Sequence, residues 1–226
     1  MKKIFAIVLL FTCMNIAQAQ LIKAYLSGGV TASQIDGDEL KGFKKWGGTG
    51  GVGAMITLSD NAQWKLGIEA NFSQRGARNV SRNPYNIRLN LNYVDIPLML
   101  YFRDPYGGIT IGAGLMYGRL VQQPHDTIFY GPAFIPDTSN MSFLMNDLAF
   151  AAELRFKIWK GLSFSLRWHR SLLPIKNWGF TEKGEYWTND CFNSSLSGRL
   201  IWQFGDPDDH PRHKAYHKKN YHRHRR

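Results

Sequence analysis

LAFAAELRFKIWKGLSFSLRWH, residues 148–169, is two runs of alternating side chains joined at Lys160-Gly161. In the first run Leu148, Phe150, Ala152, Leu154, Phe156 and Ile158 share one parity, and Ala149, Ala151, Glu153, Arg155 and Lys157 share the other. In the second run Leu162, Phe164, Leu166 and Trp168 oppose Ser163, Ser165, Arg167 and His169. A period of two is the signature of a β-strand, because successive side chains point to opposite faces. Each run is about ten residues, which matches the ~9–11 that a tilted strand needs to cross a bilayer. Strands of soluble domains are usually nearer ~5–6. The stretch therefore predicts a transmembrane hairpin with its apolar faces in lipid and its charged faces turned away from it.

The same pattern recurs outward in both directions. A third strand sets Trp64, Leu66, Ile68, Ala70 and Phe72 against Lys65, Gly67, Glu69, Asn71 and Ser73. The last sets Phe192, Leu196, Leu200, Trp202 and Phe204 against Asn193, Ser195, Ser197, Arg199 and Gln203. A fifth, about Gly108 to Arg119, puts Ile109, Ile111, Ala113, Leu115 and Tyr117 opposite Gly112, Gly114 and Gly118. Two Gly-rich strands, about Lys23 to Ala32 and Gly48 to Leu58, open the barrel. The fourth, about Arg88 to Phe102, changes phase: Leu89, Leu91 and Tyr93 lie on one parity, then Ile96, Leu98, Leu100 and Phe102 on the other. With both sets in lipid, strict alternation would bury Asp95 there. The expectation is a β-bulge near Val94 that turns Asp95 inward, with Pro97 opposite a strand that tolerates its missing N–H.

Connection lengths carry an independent signal. Ser59-Asp60-Asn61-Ala62, Arg103 to Gly107 and Lys160-Gly161 are short. Ser33 to Gly47, Arg75 to Ile87, Leu120 to Met145 and Ser171 to Asp190 are long. Short periplasmic turns alternating with long outside loops are how outer-membrane barrels are built. The predicted fold is all-β: an eight-stranded antiparallel up-and-down transmembrane β-barrel over residues 20–204, with both termini periplasmic. The longest loop, with its prolines, has room for a hairpin of its own.

The chain ends fit export. Lys2 and Lys3 precede an apolar run from Ile4 to Ile16 and a small-x-small site at Ala17-Gln18-Ala19, so residues 1–19 read as a signal peptide. A retained anchor would need ~20 apolar residues. Cys13 lies inside the apolar run rather than after it, the wrong place for an acylated cysteine. After the signal only Cys191 remains, which excludes an intrachain disulfide. No later stretch is long and apolar enough for a membrane helix; the best, Val94 to Phe102, is broken by Asp95 and Pro97. Of the net charge of +11, the signal holds +2, and residues 205–226 hold seven Lys/Arg against three Asp, or +4. The basic balance is thus partly a tail property, and nucleic acid is not an expected partner.

Several segments together resemble the outer-membrane β-barrel family that includes PorT-like proteins, and more distantly the OmpX-like barrels. They are Gly28-Gly29-Val30-Thr31-Ala32-Ser33, Phe72-Ser73-Gln74-Arg75-Gly76, Leu91-Asn92-Tyr93-Val94-Asp95-Ile96-Pro97-Leu98 and Gly112-Ala113-Gly114, within a match from about Ala24 to Phe204. The resemblance implies a barrel in a Gram-negative outer membrane. One branch serves protein secretion, so it also implies an envelope or secretion-complex partner beside outer-membrane lipid.

The polar parity defines a candidate lumen charge network: Lys65, Glu69, Asp95, Glu153, Arg155, Lys157, Arg167, His169 and Arg199, with Lys23 nearby. Eight strands enclose a space that side chains just fill, so these charges must pair. They read as a plug, with a narrow ion path as the alternative. His169 and Ser171 have the spacing of a base and nucleophile, but both fall on the lumen parity and no carboxylate orients the histidine. No catalytic or cofactor-binding residue is assigned and no cofactor is expected. In the tail, His210, His213, His217, His222 and His224 are weak metal candidates; the competing reading is a solvated, disordered periplasmic segment. Aromatic residues at Trp46, Tyr85, Phe129, Tyr130, Phe134, Trp178, Tyr186 and Trp187 suit contact with a partner or packing over the mouth. The expected function is a non-enzymatic outer-membrane barrel acting in envelope architecture, or as a binding or secretion-accessory component through loops or tail. A lipid- or glycan-modifying enzyme and a soluble lipocalin-like barrel are the alternatives. The lipocalin would put its apolar side chains inside.

Overall fold

The computed structural model describes residues 22–37, 42–59, 62–78, 88–104, 108–122, 142–182 and 185–204. Residues 1–19 and 205–226, read above as signal and tail, lie outside them, as does most of the longest loop. Among the described residues nine strands follow one another: β1 (Ile22–Asp36), β2 (Lys45–Thr57), β3 (Trp64–Arg78), β4 (Arg88–Arg103), β5 (Ile109–Gln122), β6 (Asn146–Trp159), β7 (Leu162–Ser171), β8 (Lys176–Glu182) and β9 (Glu185–Gln203). Neighbours pair antiparallel in the order β1-β2-β3-β4-β5-β6-β7-β9, and β9 closes onto β1. The result is the expected eight-stranded up-and-down barrel. Closure leaves no strand edge to satisfy in lipid.

The ninth strand corrects the reading of residues 171–190 as a loop. β8 pairs with the first residues of β9, Lys176 opposite Cys191 through Glu182 opposite Glu185. β7 takes over the same edge of β9 from Arg170 opposite Ser194 onward. A two-stranded ribbon thus continues past the barrel at its long-loop end. Trp178 lies on β8, and Tyr186 and Trp187 on β9, rather than in loops. Trp46 is also a strand residue, in β2, and projects outward with 67% exposure. Tyr85, Phe129, Tyr130 and Phe134 lie outside the described residues.

The outer surface is a continuous apolar band. On β3 it runs from Trp64 to Phe72, with both ends and Ile68 exposed. Eight steps at ~3.3 Å span about 26 Å along the strand, or about 20 Å once tilted by ~40°. Aromatic rings gather at its rims: Trp64 and Phe102 stand 5.1 Å apart at the short-turn end, and Phe150 and Trp168 meet edge-on at 6.4 Å nearer the other. Past the band polar pairs join the outward surface, alongside exposed apolar residues such as Trp46, Val121 and Leu172. Arg119 donates to Asn146 Oδ1 at 2.6 Å, and Arg170 pairs with Asp36 at 3.3 Å.

β4 explains its own phase change. Its inward parity runs unbroken through Leu89, Leu91, Tyr93, Asp95, Pro97, Met99 and Tyr101, all buried. Asn92, Val94, Ile96, Leu98, Leu100 and Phe102 face out. Asp95 points inward without any bulge in β4, so the expected mechanism is wrong. The residues misassigned to lipid are Leu89, Leu91 and Tyr93, which face the barrel axis. The register does shift against β5 between Asn92 and Tyr93, but the extra residue is Val121 on β5, since Asn92 pairs Gln122 and Tyr93 pairs Leu120. The physical reason lies in the solvent. Within the lipid band the outside must be apolar and the inside takes the charges. Above the band the outside meets water, so the rule reverses and the inside becomes a hydrophobic core. Pro97 meets Met116 on β5; on the β3 side the ladder omits Glu69 and Ala70 and resumes in the same register at Asn71.

Candidate functional site

The lumen is filled in storeys. The central one is built on two carboxylates. Glu153 on β6 accepts from Arg155 Nε at 2.6 Å, Ser165 Oγ at 2.7 Å, Arg167 Nε at 2.8 Å, Arg199 Nη2 at 3.0 Å and Tyr101 OH at 3.0 Å. Glu69 on β3 accepts from Ser27 Oγ at 2.6 Å, Arg167 Nη2 at 2.7 Å, Arg199 Nη1 at 2.9 Å and Tyr25 OH at 3.2 Å. Arg167 and Arg199 each bridge both carboxylates. Six strands, β1, β3, β4, β6, β7 and β9, therefore meet in one buried network. Arg155 also lies over the Tyr101 ring, 4.3 Å from its centroid.

The two remaining barrel strands supply space. Tyr25 crosses onto Gly53 of β2, where an added Cβ would stand 2.3 Å from the ring. Tyr101 crosses onto Gly112 of β5 with the same clearance of 2.3 Å. Cross-strand pairing puts each ring and its glycine on one face: Tyr25 opposite Gly53 and Tyr101 opposite Gly112. The Gly-rich character of these strands is thus a packing requirement of the lumen.

Nearer the long-loop end sits a second cluster. Arg75 pairs with Asp95, which also accepts from Ser73 Oγ at 2.7 Å. Arg75 Nη1 reaches Asp147 at 3.5 Å, and its guanidinium lies 4.8 Å from the Tyr93 ring centroid. Asn193 Nδ2 donates to Asp147 at 3.0 Å. Over this cluster lies an apolar cap of Ile35, Ala77, Leu89, Leu91, Tyr93, Leu120, Phe143, Ile175 and Cys191. Segment 142–145 is tied in by Leu144 N donating to Ile175 O at 2.8 Å and Leu120 N to Met145 O at 2.8 Å. Lys176 lies over Phe143, 4.8 Å from its centroid; burial draws its ammonium below the ordinary lysine pKa.

Of the candidate network, Lys65, Glu69, Asp95, Glu153, Arg155, Arg167, His169 and Arg199 are all buried. Lys157 is not. It is exposed at the short-turn rim, because β6 has already left the filled part of the lumen there. Lys23 is half-buried. His169 does not engage Ser171. Ser195 Oγ sits 3.0 Å from its Nδ1, whereas Ser171 Oγ accepts from Asn193 N at 3.1 Å. Both serines are buried in the lumen, away from lipid. Sequence reading missed Arg75, Asp147, Tyr25 and Tyr101. Arg75 opens the expected loop from Arg75 to Ile87, and Asp147 falls between the expected loop ending at Met145 and the strand beginning at Leu148; the usable signal is that each continues the lumen parity of its strand. The histidines at 210, 213, 217, 222 and 224 lie outside the described residues. Among the described residues no group of three or more His, Cys, Asp or Glu side chains could hold a metal, and no helix is long and apolar enough to cross a membrane.

The barrel is similar to solved outer-membrane proteins. It covers 80% of this chain and 97% of Neisserial surface protein A, at 9% identity and a TM-score of 0.43. For Ail of Yersinia pestis, in complex with the heparin analogue sucrose octasulfate, the figures are 82%, 100%, 12% and 0.45. For OprG of Pseudomonas aeruginosa they are 81%, 96%, 13% and 0.43. No curated protein sequence matches the chain. A family model, "Outer membrane protein beta-barrel domain", matches residues 4–198. With an apolar girdle outside, charges inside and that match along most of its length, the chain belongs to the outer membrane protein β-barrel domain family and is a protein of the cell outer membrane.

Proposed function

We propose that this chain is a closed, non-enzymatic barrel that anchors a binding surface in the outer membrane. The observation carrying this reading is the two-storey filling of the lumen. A buried ion network and an apolar cap stand in series along the axis, so solute passage would have to break both. What the fold presents instead is its long-loop end, where β1, β3 and β9 run beyond the lipid band and the β8–β9 ribbon projects. In this reading the short-turn end, with Ile22 and Gln203, faces the periplasm and the ribbon faces outward. The residues that resemble PorT-like barrels favour a protein of the envelope, such as a secretion complex, as the partner, with outer-membrane lipid around the girdle. His169 and Ser195 have the chemistry of a base and a hydroxyl, but their place inside the filled lumen denies them a lipid or glycan substrate.

Two measurements test the reading. Purified protein in planar bilayers should show no conductance above background; discrete, reproducible channels would refute a closed lumen. A photo-crosslinking residue placed at Asn177 in whole cells should capture a defined envelope protein. Labelling of that residue from the periplasmic side only would refute the orientation.

A further inference from the structure

Where the lipid-facing surface of β5 ends, three outward side chains lock together. Asn146 Oδ1 on β6 accepts from Arg119 Nη1 at 2.6 Å and from Tyr117 OH at 2.8 Å. Two donors on one oxygen fix the orientation of the amide, so its Nδ2 donor turns away from both. With Nη1 engaged, the Nε–Nη2 edge of the Arg119 guanidinium is left open, and such an edge takes an anion through two parallel bonds. Among the described residues Arg119 meets no carboxylate; its partner is the neutral Asn146. Arg170, outward on β7, is by contrast paired with Asp36 at 3.3 Å. Register places Arg119 in one row with Val94 and Asn146. The row on its short-turn side is Ile96, Tyr117 and Leu148, and the next is Leu98, Leu115 and Phe150. All of these face outward. The cation and the amide therefore stand directly on the apolar girdle and open sideways, not toward the barrel mouth.

We propose that Arg119 and Asn146 form a binding site for the phosphate group of a membrane lipid at the edge of the girdle. A lipid is the occupant because the site is continuous with the lipid-facing wall. Acyl chains lying along Leu115, Leu148 and Phe150 bring their headgroup to the height of Arg119. Phosphate is the anion that lipid headgroups carry at that height, and its oxygens suit a side-on guanidinium joined by an amide N–H. Tyr117 sets its ring against the chains and commits its hydroxyl to Asn146, as aromatic residues do where hydrocarbon meets headgroup. The site lies on the outer wall, so it depends on neither the closed lumen nor the partner proposed above.

The test uses the full chain in detergent micelles, with native mass spectrometry as readout. Dioleoyl phosphatidic acid is the probe, and dioleoylglycerol, with the same chains and no phosphate, is the control. Heat-modifiable gel migration verifies that each variant is folded. The parent should retain phosphatidic acid in preference to dioleoylglycerol. Arg119→Gln should weaken that retention about fivefold or more, the effect of one cation at a lipid surface. Asn146→Asp should weaken it as much while keeping the bonds from Tyr117 and Arg119, because its carboxylate neutralises the cation and removes the amide donor. Arg170→Gln removes a cation that is already paired and should leave retention within about twofold. Equal retention of the two lipids, retention that ignores Arg119→Gln and Asn146→Asp, or an equal loss in Arg170→Gln overturns the site. Release of the lipid by an equal concentration of inorganic phosphate overturns the lipid as its occupant.

Discussion

Replacing Glu153 with Gln is the sharpest perturbation of the central network. The change is nearly isosteric, so no cavity forms and the effect is electrostatic. The carboxylate accepts three arginine bonds at 2.6, 2.8 and 3.0 Å. The amide offers one acceptor oxygen and turns an NH₂ group toward the remaining guanidinium groups. Charge-assisted hydrogen bonds are worth ~1.5–3 kcal/mol each, but losses in one network do not add. Breaking a buried pair by removing one partner costs ~3–5 kcal/mol, chiefly because the other charge is left unmatched. Here Arg167 and Arg199 would keep Glu69 alone and Arg155 would lose the carboxylate it pairs with, so the upper part of that range is expected. In urea titration of the protein in micelles, followed by tryptophan fluorescence and gel migration, an m value near ~2 kcal/mol per M converts this to a midpoint about 2 M lower. Adding Arg167→Gln should recover part of the loss, a coupling of more than about 1 kcal/mol. A Glu153→Gln midpoint within about 0.3 M of the parent, with no coupling to Arg167, would mean that water already solvates these charges and the lumen is not a plug.

Three further outcomes follow from the same geometry. Gly112→Ala should cost ~1–3 kcal/mol by overpacking, since the new methyl meets the Tyr101 ring; Tyr101→Leu in that background should restore part of it, and urea midpoints check both. Leu91→Ala should cost ~2–5 kcal/mol because Leu91 is fully buried in the cap, whereas Leu98→Ala, half-exposed to lipid, should cost much less; equal losses would refute the reversal along β4. Ile96→Arg should cost ~2–4 kcal/mol in liposomes, while Asn92→Arg, four residues closer to the long-loop end, should be nearly silent by the same assay.

The decision between a membrane barrel and a lipocalin-like one was legible in a few residues. Glu153, Arg155 and Arg167 alternate with Leu154, Phe156, Leu166 and Trp168, and the apolar set is the outer one. The error in β4 came from applying one solvent to the whole strand. Leu89, Leu91 and Tyr93 look lipid-facing only if lipid extends to them. Arg75 and Asp147 were missed for the same reason, since strands were cut to the bilayer length. The hairpin of β8 and β9 was hidden because a ribbon leaving the barrel carries no in-and-out alternation tied to lipid.

Periodicity and connection length alone determined that this chain crosses a membrane as eight antiparallel strands and which parity carries the charges. Both are local properties, set by the alternation of side chains along an extended backbone and by the cost of polar groups in hydrocarbon. Which charge meets which, that Tyr25 and Tyr101 rest on Gly53 and Gly112, and where the apolar cap begins were decided only by closure. Strands 44 to 130 residues apart in sequence come together across the axis there, and the register of every pair sets the height at which each arginine finds its carboxylate.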